Sequence, residues 1–94
     1  MTGIEGDESP LAVGERRVLT LRGGRGLEVG VRVFFETGRA RGFLNDDIRY
    51  ERVESGHRLE LFADPRIWAG RTGSIKVCVR DSDDMQILSL AVRD

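Results

Sequence analysis

A strict alternation of apolar and other residues in the stretch 27–35 is the feature that most limits how this chain can fold. Every odd position is apolar: Leu27, Val29, Val31, Val33 and Phe35. Successive side chains of a β-strand point to opposite faces, so a period of two indicates one buried face and one wetter face. The stretch therefore predicts a half-buried β-strand. Phe34, apolar at an even position, has to point away from the core.

Five further segments have the composition of strands, and turn sequences separate them. They cover residues 16–22, 47–53, 57–63, 74–80 and 86–92. The helical candidate is a single turn, in which Asp64 caps the helix and Pro65 takes the first position. Closely spaced strands with almost no helix predict an all-β domain, either an antiparallel sandwich or a small barrel.

The inward positions of these strands predict the core. The last strand is the least defined, because Leu88, Leu90 and Val92 alternate with the equally apolar Ile87 and Ala91. The predicted core residues are Leu19, Leu21, Val31, Val33, Phe35, Leu59, Leu61, Ile75, Val77, Val79 and Leu90.

Length and composition predict one domain over residues 1–94, with residues 1–8 as a flexible or docking N-terminal segment. No apolar run approaches the roughly 18 residues that span a bilayer. The first ten residues are acidic and polar, unlike a secretory signal, so we expect a cytoplasmic protein. The single cysteine, Cys78, cannot form an internal disulfide.

The charge balance argues against nucleic acid and membrane partners. Fifteen basic residues face sixteen acidic ones, for a net charge of −1, and no long block of one sign occurs. Binding to a polyanion usually shows a basic excess, because phosphate neutralisation drives it. We therefore expect neither nucleic acid nor membrane as a partner.

No residue pattern predicts catalysis, a metal or a cofactor. His57 is the only histidine, and a catalytic arrangement would need it beside Cys78 or Ser55. One cysteine and one histidine cannot supply a structural zinc site. The acidic run 81–84 has carboxylates for calcium but lacks an EF-hand pattern, and a turn favours the same residues. The glycines at 23–26 lead into a strand, not a helix, so they do not form a phosphate cradle. We expect a protein that is not an enzyme.

The order of motifs along the chain resembles the IPT/TIG family of immunoglobulin-like domains. A Ser-Pro lies near the start, and strands then end in glycine, run into proline or begin with glycine. The matching residues are Ser9, Pro10, Gly14, Leu19, Leu21, Gly23, Gly30, Val33, Phe35, Leu59, Leu61, Pro65, Gly73, Ile75, Val77 and Val92. The resemblance implies an immunoglobulin-like antiparallel β-sandwich of about seven strands.

The resemblance also implies a non-catalytic module that binds proteins or supports a larger assembly. A virion decoration or tail-associated protein is one such setting, which makes the virion an alternative location to the cytoplasm. The expected partner is another protein or a second copy of the chain. The alternative is a carbohydrate-binding module that uses Tyr50 and Trp68, although a lone tryptophan over a small sandwich more often caps the core.

Phe34 directs attention to one sheet face as the candidate protein interface. In an immunoglobulin-like topology its strand pairs with residues 74–80, and the closing strand lies on the far side of that pair. We expect Phe34 and Cys78 to be neighbours in an exposed apolar centre ringed by charges. The opposing possibility is that residues 38–47 fold over this face and bury it. The candidate interface residues are Arg32, Phe34, Lys76, Cys78, Arg80, Ile87 and Ala91.

Overall fold

A computed structural model of the chain describes residues 2–37, 41–44 and 47–94. Within these ranges the chain forms nine strands and one turn of helix. The strands are β1 (Gly3–Glu5), β2 (Leu11–Ala12), β3 (Arg16–Arg22), β4 (Glu28–Phe35), β5 (Gly42–Phe43), β6 (Glu51–Arg52), β7 (His57–Phe62), β8 (Gly73–Arg80) and β9 (Met85–Arg93), and the helix is α1 (Pro65–Trp68).

The strands form two sheets that pack face to face, which confirms the predicted all-β sandwich. The smaller sheet has the order β1-β3-β7, and both of its pairings are antiparallel. The larger sheet has the order β2-β9-β8-β4-β5, with β6 also paired to β4. Its centre is the antiparallel trio β4, β8 and β9, whereas β2 runs parallel to the end of β9.

The predicted core is confirmed, with three of its members on the margin. Val31, Val33 and Leu59 are partly buried and pack against the cluster that the other predicted residues form. Each fully buried aliphatic side chain contributes about 1.5–3 kcal/mol. Six buried residues complete the core beyond the prediction: Leu11, Leu27, Val29, Ala63, Trp68 and Val92.

Within the segment 1–8, predicted to be flexible or docking, Gly3–Glu5 forms β1 and pairs along its length with β3. The chain that follows is held by Arg17, a buried arginine on β3. Its guanidinium donates to the backbone oxygens of Asp7 and Ser9, both at 2.8 Å, and to that of Pro10 at 3.3 Å. The N-terminal segment therefore docks on its own domain.

The predicted strand 47–53 is largely wrong, because only Glu51–Arg52 pairs with β4. The preceding residues cross β4 as irregular chain, where Ile48 and Tyr50 contact Gly30. The predicted helical turn is confirmed: Asp64 caps α1 and accepts a hydrogen bond from the Arg66 N–H at 2.9 Å, with Pro65 at the start. Over the described ranges, no helix has the length and apolar character needed to cross a membrane.

Candidate protein interface

The register of β4, β8 and β9 places the candidate residues on one side of the larger sheet. We call this side, which is turned away from the smaller sheet, the outer face. Arg32 lies opposite Lys76, and Lys76 lies opposite Ser89. One row is formed by Gly30, Cys78 and Ile87, and another by Phe34, Ser74 and Ala91. All seven predicted interface residues belong to this face: Arg32, Phe34, Lys76, Cys78, Arg80, Ile87 and Ala91.

The prediction that Phe34 and Cys78 are neighbours is wrong. Phe34 pairs with Ser74, and Cys78 pairs with Gly30, so the two side chains are two rows apart. The contact that Phe34 makes is with Phe43, at 5.0 Å between ring centroids in an edge-to-face arrangement. The outer face consequently has two apolar centres, one around Phe34 and Phe43 and one around Cys78.

Each centre is partly covered by the chain that connects β4 to β6. Strand β5 brings Phe43 onto Phe34, and Ile48 and Tyr50 lie over Gly30, which is the cross-strand neighbour of Cys78. Cys78 points outward from the sheet, yet it is only 6% exposed. The described part of this connection therefore buries part of the face, and residues 38–40 and 45–46 of the alternative cover at 38–47 lie outside the described ranges.

A groove of about 290 Å³ remains between the two covered centres. Its far wall belongs to β9, where Met85 is 54% exposed and Ile87 is 57% exposed. Large apolar side chains with this exposure, gathered along one concave surface, are typical of a binding site. The groove is lined by Arg32, Phe43, Ile48, Tyr50, Lys76, Cys78, Met85 and Ile87.

Among the described residues that line the groove, the two charged ones are both cations, and they are cross-strand neighbours. Arg32 and Lys76 lie directly opposite each other on β4 and β8. Like charges in this position repel one another. The Arg32 guanidinium lies 3.8 Å from the centroid of the Phe43 ring, a cation–π contact that holds it against the groove wall. An anionic group placed between the two cations would relieve their repulsion.

Arg80, at the end of the groove, is already engaged. Its Nε lies 3.2 Å from a carboxylate oxygen of Glu28, and its guanidinium lies 3.5 Å from the centroid of the Tyr50 ring. Arg80 therefore fixes Tyr50 over the sheet.

The two aromatic residues named for a carbohydrate site, Trp68 and Tyr50, lie in different surroundings. Trp68 is 2% exposed and packs edge-to-face on Phe35, with 4.8 Å between ring centroids. An indole buried in this way caps the core and offers no ring face to a sugar. One face of Tyr50 is taken by Arg80.

The residues considered for catalysis and for metal binding are not brought together. His57 is exposed at the start of β7 in the smaller sheet, whereas Cys78 lies in the larger one. Ser55 accepts a hydrogen bond from the Gly23 N–H.

The acidic turn 81–84 has a structural use. Asp81 accepts N–H bonds from Gly24 at 2.7 Å and from Asp83 at 2.8 Å, and these bonds hold the pKa of its carboxyl below the ordinary value. In the part of the chain that the structure describes, no three acidic, histidine or cysteine residues cluster as metal ligands. The expectation that calcium matters little stays a prediction.

Three lining residues escaped the sequence analysis. Phe43 belongs to an apolar pair inside a polar connection, and Met85 begins a run of eight uncharged residues. Both signals are visible in the sequence. Ile48 was assigned to a strand, and only the irregular path of residues 47–50 takes it onto β4.

No family model and no curated protein matches this sequence. Among solved structures, the chain is similar to part of a β-glucosidase from Listeria innocua in complex with gluconolactone. The identity is 13% and the TM-score 0.47, with 100% of this chain and 16% of that chain covered. The same enzyme in complex with glucose gives 13% identity, a TM-score of 0.41 and the same coverage. This chain thus spans about 16% of the length of these structures. The identity and the TM-scores are too low to bear on its function.

Proposed function

We propose that this chain is a non-catalytic protein-interaction module that binds its partner with the outer face of the larger sheet. The observation that carries the proposal is the groove itself, in which exposed Met85 and Ile87 face the paired cations Arg32 and Lys76. Apolar surface beside positive charge is how interfaces combine affinity with selectivity.

The partner segment that fits this groove has one large apolar side chain next to a carboxylate. A volume of about 290 Å³ is enough for a leucine or phenylalanine side chain but small for a drug-sized ligand. The apolar residue would lie on Cys78 and Ile87. The carboxylate would lie between Arg32 and Lys76, where none of the described lining residues is acidic.

Titration with short peptides tests this function. An isotope-labelled sample is titrated with a seven-residue peptide that carries one phenylalanine flanked by aspartates, and with the same peptide carrying lysines instead. We expect the acidic peptide to shift the amide signals of Lys76, Cys78 and Ile87. Its affinity should fall as salt is raised, because added ions screen charges near the surface.

A charge reversal at the groove and a matched reversal elsewhere provide the control. Lys76→Glu should remove binding of the acidic peptide. Arg58→Glu makes the same charge change on the exposed side of β7, in the other sheet, and should leave binding intact. Equal binding of both peptides, no binding of the acidic one, or a Lys76→Glu variant that binds normally would refute the proposed site.

The two-sheet architecture and the motif order together support an IPT/TIG-like immunoglobulin-like module as the family of this chain. A protein partner for such a module is consistent with the groove and with the net charge of the chain, which shows no basic excess. Membership of a larger assembly, including a virion, stays a prediction.

A further inference from the structure

One long edge of the larger sheet has no strand on its outer side among the described residues. Strand β9 pairs with β8 along its length, whereas β2 covers β9 only at Val92 and Arg93. The Val13 N–H donates to the Arg93 oxygen at 3.1 Å, so the backbone groups of Arg93 point toward β2. Because the pairing with β8 is regular, the backbone groups of Ile87 and Ser89 point to the same side, where the edge is open.

This edge lacks the features that usually prevent strands from pairing. Residues 85–92 carry no charge and no proline. Within the described ranges, β1, β5 and β6 are only two or three residues long. The remaining long edge belongs to β7, which carries the exposed charges Arg58 and Glu60. The Met85 N–H donates to the Asp84 carboxylate at 2.8 Å. The uncharged edge at 85–89 still offers the Met85 oxygen and both backbone groups of Ile87 and Ser89, which is an exception among the described strands of this molecule.

We infer that the β9 edge binds a second copy of this chain, in an antiparallel pair that joins the two larger sheets into one. The β2 strand begins to cover β9 at Val92, so the pairing is confined to residues 85–89 and centres on Ile87. In this register Ile87 lies opposite Ile87 of the second copy, and Met85 lies opposite Ser89. Two-fold symmetry makes such a contact self-complementary, because each strand offers the same outward groups to the other.

Charge does not oppose this arrangement. The side chains that meet across the junction are uncharged, and Lys76 lies one strand further in on β8. With strands about 4.8 Å apart, Lys76 shares a row with Arg80 of the second copy at roughly 14 Å, and the two Lys76 residues are further apart because they are also offset along the strands. Both separations exceed the Debye length of about 8 Å at physiological salt, so the repulsion is weak. The pairing supplies about four interchain backbone hydrogen bonds, from the N–H groups of Ile87 and Ser89 in each copy, and covers the exposed Ile87 side chains.

A contact this short gives a weak dimer, since small interfaces belong to transient complexes. Sedimentation equilibrium from low micromolar to about 1 mM chain should show a concentration-dependent rise toward twice the 10.5 kDa monomer mass. Over the same series, the amide hydrogens of Ile87 and Ser89 should become protected from exchange. A chain that stays monomeric throughout, or whose Ile87 and Ser89 amides exchange at the same rate at all concentrations, would overturn the inference.

Two variants and one control locate the contact. Ile87→Lys places like charges opposite each other and should abolish the dimer. Ser89→Pro removes an outward donor without touching the pairing with β8, and it should do the same. Ser82→Lys adds the same charge in the neighbouring exposed turn and should dimerise normally. A dimer that survives both edge variants lies elsewhere and overturns the inference.

The dimer goes beyond the proposed function, and experiments can refute either one without refuting the other. Ser89 is not part of the groove lining, so Ser89→Pro should still bind the acidic peptide while losing the dimer. Lys76→Glu should show the opposite result.

Discussion

Replacing Arg17 should be the most damaging single change at a charged position of this fold. Its five guanidinium N–H groups are all used: three bonds go to the backbone oxygens of Asp7, Ser9 and Pro10, and two go to one oxygen of Glu15. Arginine has five N–H donors and no acceptor, so the side chain is fully satisfied. The side chain is 9% exposed. The substitution Arg17→Met keeps most of the aliphatic stem and removes every donor.

The expected loss follows from the bonds to the backbone. A hydrogen bond from a charged donor contributes about 1.5–3 kcal/mol, so three such bonds set an upper limit of about 5–9 kcal/mol. The segment that holds the three carbonyls is exposed, and water can replace part of the lost bonding. We therefore expect a loss of about 3–4 kcal/mol. This is a large share of the roughly 5–14 kcal/mol available to a chain of 94 residues.

Thermal and urea unfolding measure this loss. At about 4 °C per kcal/mol for a domain of this size, the melting temperature of Arg17→Met should fall by roughly 12–16 °C. Arg17→Lys keeps the charge but has three donors, so its loss should be intermediate.

The neighbouring arginine is the matched control. Arg16 points to solvent, and its guanidinium lies 2.9 Å from Glu60 with both side chains more than half exposed. An exposed ion pair contributes at most about 1 kcal/mol, so Arg16→Met should be nearly neutral. If Arg17→Met loses no more stability than Arg16→Met, the interpretation of Arg17 as the clamp of the N-terminal segment is wrong.

Three further predictions concern glycines and the acidic turn. Gly73→Ala should destabilise the fold by at least about 2 kcal/mol in a urea titration, because a Cβ there meets the Phe34 backbone oxygen. The control is Gly3→Ala, whose Cβ meets nothing within 4 Å and which should be neutral in the same titration. Gly30→Ala should displace Ile48 and speed the reaction of Cys78 with a thiol reagent. An unchanged rate would contradict the interpretation that Ile48 shields this part of the outer face. The pKa of Asp81 is lowered from 3.8, first by the N–H bond from Gly24, so its contribution to stability is present above about pH 4 and is lost as the pH falls through the lower folded pKa. Asp81→Asn should therefore flatten the acid limb of the stability profile, and an equally steep limb would refute this.

Local patterns determined much of the fold. The alternation at 27–35 predicts β4 and its core face, because side-chain direction in a strand depends only on the chain itself. The helical turn was predictable for the same reason, since Asp64 and Pro65 act within three residues of each other. The candidate face was likewise predictable, because parity within β4, β8 and β9 assigns each side chain to one side of the sheet.

Pairing between distant segments was decided only by the tertiary structure. Register sets which residues meet across strands, and it separates Phe34 from Cys78 although both lie on the predicted face. A shift of register by an even number of residues leaves every side chain on the same face of the sheet, so the local pattern of polarity does not report it.

The covering of the outer face and the binding of the N-terminal segment by Arg17 also depend on contacts between distant parts of the chain. Gly30 marks a gap in an otherwise regular strand, but the sequence alone cannot show that Ile48 fills it. Arg17 shares the inward parity of Leu19 and Leu21, which distinguishes it from the exposed Arg16, but no local signal shows what would satisfy its guanidinium there. Its burial arises because the segment 7–10 returns to β3 and places three carbonyl oxygens around one guanidinium. The sequence by itself therefore determined the strands and their faces, and the tertiary structure decided which of those faces are covered, because covering depends on contacts between segments far apart in the chain.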